Sequence, residues 1–296
     1  MKKPIFKGSA VALITPYRDN KVDFEAYGKL IDFQIEGGTA ALVVCGTTGE
    51  APTLSDDEHH ACIDYAVRRA AGRVPVIAGS GSNDTQHAVE MSNYAKEAGC
   101  DGVLAVTPYY NKPTQKGLLK QFTYLAEHVD LPIILYNIPS RTGVSLTGPV
   151  YEELAKIPNI NGVKEASGDF ALINDLMHRC GDEMNVWAGN DDITVPLLAM
   201  GGCGVISTAA NIIPHVMHEI CGRWFTGDHA GAAAMQRAYY DVLRDLFIET
   251  NPIPVKTAVN LMGLPGGEWR LPLCEMSDEN LAKLKKTLAK HGLIAG

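Results

Sequence analysis

Lys164 stands inside an apolar run, Ile160-Asn161-Gly162-Val163-Lys164-Glu165-Ala166, where an ammonium ion is costly. Burial there pushes a lysine toward its neutral, nucleophilic amine, the form that attacks a carbonyl carbon. Its same-face neighbours Gly162 and Ala166 are small, which would leave room for a ligand. The competing reading is a structural ion pair with Glu165 or another carboxylate. A second embedded lysine, Lys256 in Asn-Pro-Ile-Pro-Val-Lys, falls on a helical segment and reads as structural. Other polar groups cluster at the ends of apolar runs. Tyr136 closes one and can carry a proton if its hydroxyl is hydrogen-bonded, although a tyrosine there also serves packing. Thr47 and Thr48 lie in Gly46-Thr47-Thr48-Gly49-Glu50, whose glycines free backbone N–H groups to hold a carboxylate; a tight turn is the plain alternative. Tyr110 extends the hydroxyl set. Arg141 suits a carboxylate, or is simply a solvated arginine.

These residues need a frame. Apolar runs of strand length fall at 10–14, 41–45, 74–78, 102–106, 132–136, 161–166, 185–188 and 204–207, with starts 19 to 33 residues apart. Between them lie segments of 3.6-residue periodicity, such as Phe24, Tyr27, Leu30, Ile31 and Ile35. Several open on N-caps: Ser55 with Glu58 forms a capping box, and Asp84 and Thr114 sit at comparable points. Continuously apolar strands, each followed by an amphipathic helix, predict a parallel sheet buried on both faces. Eight such units predict an α/β fold, a (β/α)8 TIM barrel, over 1–225. Only helices follow, at about 228–249, 252–263 and 278–291, read as a C-terminal helical extension over 226–296. A doubly wound sheet would carry a Gly-rich turn after its first strand, and here that turn is Thr15-Pro16-Tyr17. In a barrel, the chemistry belongs at the C-terminal strand ends, where the residues above cluster.

Composition narrows the partners. The 296 residues carry 26 Lys and Arg against 34 Asp and Glu, a net charge of −8, and 46% are hydrophobic. An acidic chain is a poor match for nucleic acid or an anionic membrane surface. No run approaches the roughly 20 apolar residues of a membrane span. The first residues only imitate a signal peptide, because the apolar stretch is short and passes into Thr15-Pro16 with no cleavage signature. Seven scattered cysteines without metal-ligand spacing read as reduced thiols in a cytoplasmic protein. The run Asp56-Asp57-Glu58-His59-His60 reads as a capped acidic first turn, so no metal is expected.

Taken in order, Gly46-Thr47-Thr48-Gly49-Glu50, Pro108-Tyr109-Tyr110-Asn111, Tyr136-Asn137-Ile138-Pro139-Ser140-Arg141-Thr142-Gly143 and Val163-Lys164-Glu165-Ala166 make the chain resemble the dihydrodipicolinate synthases. These belong to the pyruvate-dependent class I aldolases that include N-acetylneuraminate lyase. Thr-Thr in the first motif and Ser-Arg-Thr-Gly in the third resemble the synthases. The sialic-acid lyases have Ser-Thr and lack the arginine. An aldolase for a sugar acid or another 2-keto acid is the alternative.

The resemblance implies a Schiff-base lyase in which Lys164 forms an imine with pyruvate, whose enamine attacks aspartate-4-semialdehyde. It implies proton relay through Tyr136, Thr47 and Tyr110, with Tyr110 supplied by a neighbouring subunit of a homo-oligomer, a dimer of dimers. Thr47 and Thr48 would hold the pyruvate carboxylate and Arg141 the semialdehyde carboxylate. Gly189 and Ile206 would contribute backbone groups, with no cofactor. Many relatives bind lysine as an inhibitor at a subunit interface. His59, Asn83 and Tyr109 match that pocket. His87 replaces the glutamate that meets the inhibitor's amine, Asp56 a histidine, and Ala51 a serine. The expectation is weak or absent lysine inhibition.

Overall fold

The computed structural model describes residues 2–295. Eight parallel strands close into a barrel: β1 Gly8–Ala12, β2 Ala41–Val44, β3 Val76–Gly79, β4 Gly102–Val106, β5 Ile133–Asn137, β6 Ile160–Glu165, β7 Asn185–Ala188 and β8 Gly204–Ser207. The last strand pairs with the first, Gly8 opposite Gly204, so no edge is left open. At that seam a Cβ on Gly204 would stand 1.9 Å from the Gly8 carbonyl oxygen, and Gly204 has φ +144°. Only glycine fits there.

The outer layer is α1 Phe24–Glu36, α2 Asp56–Ala70, α3 Thr85–Ala98, α4 Gln115–His128, α5 Gly148–Ala155, α6 Phe170–Cys180, α7 Thr194–Ala199 and α8 Pro214–Phe225. The expected caps form. Ser55 and Glu58 make a reciprocal capping box on α2, Asp84 accepts from Gln86 and His87 N–H, and Thr114 accepts from Gly117 N–H. The tail supplies α9 His229–Ala238, α10 Tyr240–Asp245, α11 Ile253–Leu261 and α12 Asp278–Lys290. The helical stretch expected at 228–249 is thus two helices, which meet at Tyr239.

Strand boundaries move by a residue or two where proline intervenes. Neither Pro75 nor Pro132 has an N–H to donate, so β3 and β5 begin after them, while their carbonyls still accept from Leu42 and Val103. A short hairpin, Tyr17–Arg18 with Lys21–Val22, is absent from the sequence reading; Asp19 and Asn20 both take positive φ to turn it.

Alternation along the strands separates two cores. Outward side chains such as Val163, Leu135 and Val186 pack against the helices, and the same cluster takes in Leu243, Val255, Val259 and Leu288 from the tail. Inward side chains form a smaller cluster that includes Ala10, Val43, Ile77, Leu104, Ile134 and Trp187. Phe6 stacks on the Trp187 ring at 5.0 Å and closes the barrel floor. Among the described residues, no helix is long and apolar enough to cross a membrane.

The tail is also fastened to the second strand loop. Lys256 on α11 donates to Glu50 Oε1 at 2.6 Å, and both side chains are 0% exposed. The Lys256 ammonium also donates to the Glu268 carbonyl and lies 4.4 Å from the Tyr17 ring centroid. The structural reading of Lys256 matches this setting. Replacing Lys256 with Met leaves Glu50 buried without its counter-charge and should cost ~3–5 kcal/mol in chemical denaturation, with Glu50→Gln in the same chain recovering part of it.

Candidate active site

Strand register decides what surrounds Lys164. On β6 it pairs across to Tyr136 of β5 and to Trp187 of β7. Because side chains alternate, Lys164 points into the barrel and Glu165 points out. Glu165 is fully engaged there: it accepts from Tyr151 Oη at 2.6 Å, from Ser167 N–H at 2.7 Å and from Asn137 Nδ2. The ion-pair alternative for Lys164 and Glu165 therefore fails. Lys164 is 5% exposed, and its Nζ lies 4.4 Å from the Tyr136 ring centroid. Burial brings its pKa from 10.5 down to about 8, with Asp191 opposing the shift and Arg141 adding to it.

The small neighbours of Lys164 do different jobs. Ala166 lines an open cavity beside the amine, so room for a ligand exists above. Below, the space over Gly162 is filled: a Cβ there would lie 2.2 Å from the Asn185 carbonyl oxygen and 2.7 Å from the Trp187 ring. The expectation that Gly162 makes room for a ligand is corrected, since it makes room for the floor.

The cavity above Lys164 has a volume of about 370 Å³, and its wall includes Tyr136, Thr48, Arg141, Gly189 and Asn251. Thr48 Oγ1 accepts from Asn251 Nδ2 at 3.0 Å, and Arg141 Nη2 donates to the Asn251 carbonyl at 2.8 Å. Gly189 spends its N–H on the Glu165 carbonyl at 2.7 Å, which leaves its carbonyl as the group it can offer. Ile206 sits in the inner apolar cluster with Ala10 and Trp187.

Tyr136 separates this cavity from a second one of about 420 Å³, where Thr47 lies. Burial pushes the Tyr136 phenol up to about 12, while the Arg141 charge and a hydrogen bond with Thr47 pull the other way. The phenol is thus protonated at neutral pH and shares the lining of the second cavity with Thr47. Tyr110 does not join them within this chain. It is 90% exposed, on a loop where it takes φ +68°.

His59, His87, Tyr109, Asp56 and Ala51 all line the second cavity, whereas Asn83 lines a separate surface groove. His59 is buried and its Nε2 faces the Gly79 carbonyl at 2.8 Å, so that nitrogen carries the proton. Desolvation pushes its pKa down to about 4, and the ring is neutral near pH 7. His87 Nε2 faces Asp56 Oδ1 at 3.7 Å.

Two residues escaped the sequence reading as site members. Asp191 follows β7 and was visible only as a polar strand end. Its buried Oδ2 accepts from Thr208 and Ala209 N–H at 3.1 and 3.0 Å, and burial raises its pKa to about 6. Asn251 lies outside every strand end, and its only sequence signal is the Asn-Pro that precedes α11.

The chain fits the pattern of the Dihydrodipicolinate synthetase family over residues 5–291. It is 52% identical over 292 residues to the 4-hydroxy-tetrahydrodipicolinate synthase of a Thermoanaerobacter species, covering 98% of each chain. It is 48% identical over 294 residues to that of Acetivibrio thermocellus, covering 99% of this chain and 100% of the relative. The crystal structure of dihydrodipicolinate synthase from Aquifex aeolicus superimposes with a TM-score of 0.96 at 47% identity, covering 98% of this chain and 100% of that one.

Only the neutral amine attacks a carbonyl, so the initial rate at which borohydride traps pyruvate on Lys164 should rise with pH through about 8 and level off above it. A midpoint near the ordinary lysine value of about 10.4 would mean that the amine is not desolvated. Lys164→Arg should abolish trapping at every pH.

Proposed function

Because the chain belongs to the dihydrodipicolinate synthetase family, we propose that Lys164 is the nucleophile through which it carries out the 4-hydroxy-tetrahydrodipicolinate synthase reaction. The chain is a Schiff-base-forming lyase of lysine biosynthesis by the diaminopimelate route. The observation that carries the assignment of Lys164 is a buried amine, with no carboxylate within ion-pair distance and a lowered pKa, in a cavity whose wall includes Tyr136, Thr48 and Arg141.

The proposed sequence starts as Lys164 Nζ adds to the ketone carbon of pyruvate and water leaves, giving an imine. Loss of a methyl proton yields the enamine, whose carbon attacks the aldehyde of L-aspartate-4-semialdehyde and forms the new C–C bond. The substrate's own amine then adds to the imine carbon, closes the ring and expels Lys164. Tyr136, protonated and in the same cavity wall as Thr47, moves protons in these steps. Thr47 and Thr48 hold the pyruvate carboxylate, with the Gly189 carbonyl in the same wall. Arg141 at the mouth meets the semialdehyde carboxylate, a group that a sugar-acid aldolase would not need there.

Ile206 contributes a backbone group to the site in this scheme. Tyr110, exposed and unable to meet Tyr136 in its own chain, supports a homo-oligomer in which one subunit completes the relay of another, with a dimer of dimers as the assembly. The seven unpaired cysteines, six of them buried, support the reducing cytoplasm as its compartment. His59, His87 and Tyr109 form the pocket of a lysine inhibitor with a histidine in place of the carboxylate that would bind its amine.

Turnover of pyruvate with aspartate-4-semialdehyde, followed through the downstream reductase, should be present in the native chain and lost in Lys164→Ala. Trapping of pyruvate on Lys164 without turnover would redirect the search to sugar-acid aldehydes. A lysine titration of the same assay should show little loss of rate, and strong inhibition near physiological concentration would overturn the reading of His87.

A further inference from the structure

The tail lines the cavity beside Lys164, and its Asn251 bonds to two of the candidate site residues. Asn251 is 7% exposed, and its Nδ2 donates to Thr48 Oγ1 at 3.0 Å while its main-chain carbonyl accepts from Arg141 Nη2 at 2.8 Å. The segment that bears it is held on both sides. Glu249 Oε1 accepts from Ser277 N–H and Oγ and from Asn280 Nδ2, at 3.0, 2.8 and 2.8 Å, and one turn past Asn251 the Lys256–Glu50 pair fixes α11 to the same loop that carries Thr48.

We infer that Asn251 is a positioning residue that sets the direction of the Thr48 hydroxyl. A threonine hydroxyl has one hydrogen to give and two lone pairs to receive. An amide N–H can only give, so the Asn251 contact fills one lone pair of Thr48 and leaves its hydrogen to be donated elsewhere. Thr48 lines the cavity above Lys164, and the partner waiting there is the carboxylate of the 2-oxo acid. The side chain of Asn251 therefore serves the first substrate through Thr48. Its backbone carbonyl serves the second through Arg141. This inference rests on the reading of Thr48 as a carboxylate holder.

That division makes the two substrates separable in steady-state kinetics. Asn251→Ala removes the amide and keeps the carbonyl, so KM for pyruvate should rise about five- to tenfold, the value of one neutral hydrogen bond, with KM for the semialdehyde nearly unchanged. Asn251→Asp keeps the shape but turns the donor into an acceptor, which draws the Thr48 hydrogen away from the cavity and adds a negative charge near the carboxylate. Its pyruvate KM should rise about thirtyfold or more. An equal rise in both KM values, or an Asn251→Asp chain that binds pyruvate as the native one does, would overturn the inference. If the Asn251 variants do not fold, as judged by thermal unfolding, Thr48→Val carries the test: its pyruvate KM should rise with the semialdehyde KM kept, and an unchanged pyruvate KM overturns the proposal. Turnover by the native chain decides the underlying reaction separately, and its absence would refute that reading without reference to Asn251.

Discussion

Removing an ammonium ion from water is the constraint around which this molecule is arranged. Two lysines are buried, and they meet the cost in opposite ways. Lys256 lies beside Glu50 in a closed, fully buried pair and serves as a fastener. Lys164 has no carboxylate within ion-pair distance among the described residues. Its neighbours are an aromatic face and, across the cavity, another cation, so desolvation brings its pKa down to about 8. The barrel makes this difference possible. A closed parallel sheet presents every second side chain to a dry interior, and the alternation that sends Lys164 inward sends Glu165 outward to Tyr151 and Asn137.

The same economy joins the tail to the barrel. The loop 46–50 is gripped at two points, Thr48 by Asn251 and Glu50 by Lys256, from either side of the start of α11. Arg141, from the loop after β5, is tied to the backbone between those two points. Groups from the loops after β2 and β5 and from the segment before α11 therefore share one rigid frame, although they lie up to 203 residues apart in sequence. Fixed donors cost little reorganisation when a carboxylate arrives, which is the physical value of such a frame.

Much of this was legible in the sequence because the signals are local. Strands buried on both faces read as apolar runs, caps mark helix starts, and a lysine inside such a run is conspicuous. What stayed hidden depends on pairing across the fold. Gly162 looked like space for a ligand, but a missing side chain has no sign on it to say which neighbour fills the gap, and here Trp187 does. Asn251 carried no pattern at all, because a polar residue before a proline is ordinary in a loop and its meaning lies in two distant partners. Nothing in the sequence around Asp191 indicates that its carboxylate turns back onto Thr208 and Ala209. Tyr110 could be located by its motif, but only the fold shows it exposed.

The stack of Phe6 on Trp187 has a consequence for traffic. With its floor sealed by this stack, the barrel interior beside Lys164 is reached from the C-terminal strand ends, where the cavity lies. In the proposed reaction a keto acid would descend to the amine first, and the aldehyde would take the upper position only after it. An aldehyde that arrived early would be a stopper, so a closed bottom would impose an order of events that the chemistry of an imine alone would leave free.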